Sequence, residues 1–420
     1  MQGQRALIFA VLAACGDSKT TPGDASTDAA TDDAAAIDAT PIDAVPIDAA
    51  TDAPVDAALP PHPRRVFLTS VYGLGNLTAW PDSAGYVGLP AADAICQARA
   101  IAASLDGVFV AWLSTSTNDA YCRVQGFNGT TRANNCGQPT LPSMAGPWVR
   151  VDGVPWAASL AELTGANPRV YSPQLLNEFG QPTTDHFFSN TSATGTATTQ
   201  SCNNWSASTG GVGYGGARMS GTYWTQWGTW GCYLSSPLMC MEVGSGPAHV
   251  FPAITGKRAF VTSTVTTGNL ATSPEANGQT GVAAGDAICQ ARAAAASLPN
   301  ATQFKAWLST AAADAATRIT SNGPWQRVDG LPLASSKLDL LDGMLLRSLD
   351  VTESGAYLSG ATVWTASWRD GTTLGAACGD WTGSTATAYV GRANDPKKWS
   401  YAEYVSTCTT TTARLYCFED

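Results

Sequence analysis

Eleven cysteines, three histidines and a scatter of carboxylates are the residues of this 420-residue chain whose chemistry could go beyond packing. Histidine narrows the choice first. His62 and His249 precede two repeated segments described below, and His186 is the only histidine inside either, so an activity common to both repeats has no imidazole to use. A Ser-His-Asp or Cys-His arrangement is thereby excluded from the second repeat. Asp93, Asp119 and Asp152, which recur as Asp286, Asp314 and Asp329, could in principle form acid and base pairs. Simpler roles fit them better: Asp93 supports a helix start, and Asp152-Gly153 and Asp329-Gly330 read as turns. The chain is therefore read as non-enzymatic, a carboxylate-based hydrolase being the alternative. No C-x-x-C pair occurs, so no zinc site, other metal or cofactor is expected. The remaining candidates are aromatic: Tyr223, Trp224, Trp227 and Trp230, in a Gly- and Thr-rich run ending at Tyr233. Such rings stack on sugars or anchor protein interfaces, or they pack beneath the adjacent Cys232. The second repeat keeps only Trp399, Tyr401 and Tyr404 in the corresponding region.

The elements that must position these residues come as two copies. Arg65-Val66-Phe67-Leu68-Thr69-Ser70 returns as Arg258-Ala259-Phe260-Val261-Thr262-Ser263, and residues 93–100 return identically as 286–293. Ala111-Trp112-Leu113-Ser114-Thr115 matches residues 306–310, and Gly146-Pro147-Trp148 matches Gly323-Pro324-Trp325. Tandem repetition of a domain is the direct reading. Copy one spans 64–245, a short linker 246–256, and copy two 257–420. Cysteine counts agree: Cys96, Cys122, Cys136, Cys202, Cys232 and Cys240 fall in copy one and Cys289, Cys378, Cys408 and Cys417 in copy two, an even set in each. Cys136 lies in an insertion that copy two lacks, and it most simply closes on Cys122. With little apolar area in the linker, each copy is expected to fold alone.

Within a copy, residues around Phe67 or Phe260 read as a strand. A helix over 89–104 follows, entered through Pro90 and carrying the small-residue stripe Ala92, Cys96, Ala100 and Ala103, repeated as Gly285, Cys289, Ala293 and Ala296. Short buried segments at 109–113 and 304–308 and closing strands around Cys240 and Cys417 complete a compact α+β module stapled by disulfides.

Ahead of both copies, Arg5 and the apolar residues 6–14 have the make-up of an export signal and are too few for a membrane span of about 20 residues. Leu12-Ala13-Ala14-Cys15 resembles the bacterial lipobox, which implies cleavage before Cys15 and lipid attachment to its sulfur. Gly16 after the cysteine implies, by the same resemblance, an outer-membrane lipoprotein of a Gram-negative bacterium. Residues 16–63 are almost entirely Ala, Asp, Thr and Pro, with Ile-Asp-Ala recurring at 37, 42 and 47. They read as a disordered tether, able to reach roughly 40 Å as a coil or about 150 Å fully extended. Ten of the chain's acidic residues lie there against Lys19 alone, while 64–420 holds 23 acidic and 21 basic side chains. That balance excludes a basic nucleic-acid footprint.

Several ordered motifs together resemble a known family: Gly-x-x-x-Ala-Asp-x-x-Cys, Phe-x-Ala-Trp-Leu-Ser, Val-Asp-Gly, a Cys followed three residues on by Trp205 or Trp381, and a final Cys-x-Glu at Glu242 or Glu419. The set is similar to endostatin, the C-terminal domain of collagens XV and XVIII, and closer to the bacterial endostatin-like lipoproteins of leptospires. The resemblance covers most of 64–420. It implies tandem C-type lectin-like domains with nested disulfides, Cys96 to Cys240, Cys202 to Cys232, Cys289 to Cys417 and Cys378 to Cys408, where the residues of copy two alone allow three connectivities. Endostatin's zinc histidines and arginine-rich heparin face have no clear counterpart, His62 reading as solvated. Gln181-Pro182-Thr183 and Asn203-Asn204-Trp205 do not fit the calcium-dependent sugar motifs of C-type lectins. The bacterial relatives bind host matrix and complement proteins. The resemblance thus implies a membrane-anchored display of two modules for an extracellular protein or glycan, a structural envelope component being the alternative.

Overall fold

The computed structural model describes residues 62–251, 255–375, 377–383 and 385–420. Cys15, the export signal and nearly all of the tether lie outside the described residues. The first strand, β1 (Arg64–Leu68), shows how sequence becomes architecture: its Val66, Phe67 and Leu68 are fully buried. Val66 and Leu68 point into one apolar cluster and Phe67 into another, the alternation a strand imposes when both sheet faces are covered. The later strands of copy one are β2 (Phe109–Ala111), β3 (Trp148–Arg150), β4 (Pro155–Ala157), β5 (His186–Phe188), β6 (Gly211–Gly216), β7 (Gly228–Gly231) and β8 (Met239–Glu242). Copy two supplies β9 (Lys257–Val261), β10 (Phe304–Ala306), β11 (Trp325–Arg327), β12 (Pro332–Ala334), β13 (Thr362–Trp364), β14 (Thr387–Arg392), β15 (Val405–Thr407) and β16 (Tyr416–Glu419).

These strands form two five-stranded sheets ordered β2-β8-β1-β3-β4 and β10-β16-β9-β11-β12, and two three-stranded sheets, β5-β6-β7 and β13-β14-β15. The result is a mixed α+β structure in which copy two repeats the strand order of copy one. In each large sheet the first strand pairs antiparallel with the last and parallel with the Trp148 or Trp325 strand.

The helix Leu89–Ala102 enters through Pro90 and buries Ala92, Ile95, Cys96 and Ala100; its counterpart is Gly281–Ala295. Small side chains let it lie close to the sheet. At Gly285 an added Cβ would sit 2.7 Å from Leu308 Cδ1. Ala103 and Ala296 are only half-buried because the helices end there. Asp93 departs from its expected role. Its Oδ1 accepts the backbone N–H of Ala111 at 3.0 Å and pairs with the buried Arg123, tying helix to strand instead of capping the helix. Asp286 does the same with Ala306 N–H at 2.8 Å and Arg318 at 2.7 Å.

Five disulfides staple the two copies internally: Cys96–Cys240, Cys122–Cys136 and Cys202–Cys232 in copy one, Cys289–Cys417 and Cys378–Cys408 in copy two. Each long bridge joins the helix to the last strand. Cys122–Cys136 closes 14 residues of the insertion, where a loop of that size is worth about 3 kcal/mol in the chain-entropy account.

Residues 60–420 form one compact unit, and the copies touch through their own faces as well as the linker. Arg218 of copy one donates to Asp395 of copy two through Nε at 2.8 Å and Nη2 at 3.1 Å, both residues being buried. Ser220 donates to the buried Asp350, whose other partner is Arg327 at 3.1 Å. Tyr171 packs with Leu331, Val351 and Tyr357. Gly221, at φ +63°, meets the Ser359 carbonyl so closely that a Cβ would lie 2.1 Å from it. The expectation that little beyond a linker joins the copies therefore misses this seam, because its partners lie some 130 to 177 residues apart in sequence.

Candidate functional site

The groups with catalytic potential are held in structural bonds. Asp119 accepts the N–H groups of Arg132 at 2.8 Å and Ala197 at 2.9 Å, and Asp314 accepts that of Thr373 at 2.8 Å. Asp152 and Asp329 pair with Arg150 and Arg327 beside turns made by Gly153 and Gly330, whose φ values are +81° and +89°. Burial pushes the Asp329 carboxyl up, but Arg327 outweighs it and holds the group below the usual carboxylate range. His62 is not simply solvated. Its Nε2 lies 2.9 Å from Glu242 Oε1, in a cluster with Arg64 and Arg65. Burial raises the Glu242 carboxyl, and Arg65 and Arg64 more than reverse it. His249 contacts the Ala157 carbonyl at 3.1 Å. Among the described residues no three His, Cys, Asp or Glu side chains converge as a metal site, and no helix is long and apolar enough to cross a membrane.

The four aromatic candidates part company in the structure. Trp224 is 1% exposed, packs against Trp112 and Trp156 with centroids 5.0 and 5.4 Å away, and donates its Nε1 hydrogen to the Leu163 carbonyl. It belongs to the core and is removed from the candidate surface. Trp399 plays the same part in copy two, 4.8 Å from Trp307. Tyr223 is half-buried and faces copy two beneath the guanidinium of Arg392.

Trp227 and Trp230 remain together, joined by a residue not singled out from sequence, Tyr214. Its ring lies 5.4 Å from Trp227 and 4.8 Å from Trp230, and His186 stands edge-on to Trp230 at 4.4 Å. The strand register builds this ladder. Val212 pairs with Trp230 and Tyr214 with Gly228, so Tyr214 and Trp230 are diagonal neighbours on one face. Gly228 leaves room, since a Cβ there would lie 3.0 Å from Tyr214 Cε1. The signal was available in the alternating Gly211-Val212-Gly213-Tyr214-Gly215-Gly216 pattern, in which glycine marks close approach. Burial lowers the His186 pKa, so the imidazole is neutral at pH 7 and serves as one more flat ring.

Beside Trp227 opens a cleft of about 340 Å³, lined by Thr191, Thr198, Gln200, Thr225, Gln226 and Thr229 among others. Hydroxyls and amides beside a half-exposed indole can satisfy a ligand's polar groups while the ring covers an apolar face. No carboxylate or imidazole lines the cleft. Comparison with known proteins adds no name to this geometry: neither a scan of protein-family models nor a search of curated proteins finds a match.

Proposed function

We propose that this chain is a non-enzymatic binding protein, anchored by lipid at Cys15 to the outer membrane of a Gram-negative bacterium and presenting two endostatin-like modules of C-type lectin-like fold on a tether. The observation that carries the binding reading is the ladder of Tyr214, Trp227 and Trp230 beside a cleft furnished with hydroxyls and amides. The fold reading is supported by the adjacency of first and last strands in each copy and by the short disulfide nested inside the long one. The engaged carboxylates speak against hydrolysis.

The deciding experiment applies the full chain to arrays of glycans and extracellular proteins. Saturable binding is expected, and Trp227→Ala or Trp230→Ala should weaken it by tenfold or more, the loss typical of an exposed aromatic anchor. Silence across the arrays would favour a structural envelope component. Undiminished binding by both variants would move the site elsewhere. Cys15→Ser should release the protein from the detergent phase if the cysteine carries lipid.

A further inference from the structure

Between the copies lies a second cleft, of about 350 Å³, with Tyr223 on one wall and Ser359, Thr362, Arg392, Asn394 and Tyr404 on the other. Three features of it ask for a ligand. The Arg392 guanidinium stands 5.8 Å from the centre of the Tyr223 ring and, among the described residues, makes no side-chain hydrogen bond or ion pair. Asn394 is fully buried; its Nδ2 donates to the Ser220 carbonyl at 3.1 Å, while its Oδ1 accepts nothing. A buried acceptor without a donor is costly, by about 1–3 kcal/mol, and is a natural place for a ligand hydroxyl or amide. Third, Tyr404 is 39% exposed, and its hydroxyl sits 3.3 Å from Thr362 Oγ1, so ring faces and hydroxyls stand side by side.

We propose that this cleft binds a carboxylate-bearing sugar, of the hexuronic acid kind. One unpaired guanidinium fits one planar, singly charged carboxylate, which its fork grips through two parallel N–H donors. The sugar's hydroxyls supply the donor that Asn394 Oδ1 lacks and meet the side chains of Ser359 and Thr362. The tyrosine rings cover the apolar face of the pyranose. The volume lies within the range of small-ligand sites. Both copies are required, because Tyr223 and Arg392 belong to different ones. The proposal shares the general reading of the chain as a binding protein but uses a site separate from the tryptophan ladder.

The test is calorimetric or saturation-transfer titration of the full chain with a glucuronate-terminated disaccharide, its neutral glucose counterpart, and a sulfated polysaccharide. The expected result is binding of the uronate, at least tenfold weaker binding of the neutral sugar, and roughly a thirtyfold loss in Arg392→Gln, as for removal of a charge-assisted hydrogen-bond pair. Arg392→Lys, which keeps the charge but not the fork, should recover only part of that loss and shows that the fold is intact. Trp227→Ala should leave uronate binding unchanged while weakening binding at the ladder, so the two sites fail or succeed separately. Equal binding of acid and neutral sugar, no effect of Arg392→Gln, or binding of the sulfated polymer alone would overturn the assignment.

Discussion

The small sheets of the two copies are built on the same register yet present different surfaces. His186 pairs with Gly216 as Thr362 pairs with Arg392, and Val212 with Trp230 as Ala388 with Ser406, each position of copy two lying 176 residues after its counterpart. Inward, the copies agree. Trp205 and Trp381 donate to the carbonyls of Ser114 and Ser309, and Trp148 and Trp325 to those of Glu242 and Glu419. At the ladder, the half-buried Tyr214 is replaced by Val390, which is fully buried in the core of copy two, and Trp230 by Ser406, so these paired rings exist only in copy one. The same spacing places Arg218 opposite Asn394, and Met219 opposite Asp395. Each copy thus carries one half of the buried ion pair at the seam. The shared strand register holds while these positions diverge, and here divergence has made two copies complementary to one another.

The sharpest way to break this comparison is to remove one half of the seam. Arg218→Ala leaves Asp395 buried without its cation and should destabilise the chain by about 3–5 kcal/mol. Denaturant unfolding followed by Trp fluorescence should show both copies weakened together; a loss confined to copy one would restore the idea of independent domains. Comparable in size are Trp224→Ala and Trp399→Ala, each expected to cost about 3–5 kcal/mol as deletion of a core indole. Trp227→Ala, three residues from Trp224, should cost less than about 1 kcal/mol, and similar losses at 224 and 227 would erase the distinction between core and surface rings. Next, Cys122→Ser with Cys136→Ser should lower stability by about 3 kcal/mol, read in thermal melts, because copy two has no equivalent staple.

A smaller effect than loss of the seam or of a core indole concerns acidity. Burial pushes the Asp350 carboxyl up to about 6, against the pull of Arg327. A carboxyl whose folded pKa exceeds its unfolded value stabilises the fold while protonated, so its contribution is present below about pH 4 and is lost as pH rises towards 6. Asp420 has the opposite sign. Burial raises it, but Lys305 and the N–H groups of Ser321 and Thr320 bring it down to about 2, so its contribution is lost as pH falls below about 4. Comparing stability at pH 4 and pH 6.5 in the wild type and in Asp350→Asn isolates the first effect, expected on the order of 2 kcal/mol. An unchanged difference between the two proteins would remove Asp350 from the account.

Much of the framework is legible in the residues themselves because it is written twice. The repeated Asp-Ala-Ile-Cys-Gln-Ala-Arg-Ala run locates a helix and its cysteine, and the alternating burial of Leu238, Met239, Cys240 and Met241 follows from strand geometry. What escapes reading is non-local or lacks a period. Trp224 and Trp227 sit in one glycine-rich loop with no alternation to say which turns inward. Arg218 and Asp395 find each other across 177 residues. Asp93 looks like a helix-start residue until the strand at Ala111 and the side chain of Arg123 come within its reach.

The place of the closing strand in each large sheet bears on when the molecule can fold. β8 and β16 sit between strands laid down some 110 residues or more before them, and each also carries the cysteine that bonds back to the helix. In a chain emerging from its amino end, β1, β3 and β4 can pair with one another, but β2 and β10 have no partner in the sheet until the closing strand arrives, and contacts this distant in sequence assemble slowly. Each copy is therefore closed only by its last strand, and oxidation of Cys240 or Cys417 onto the helix cysteine records that the corresponding sheet has been completed.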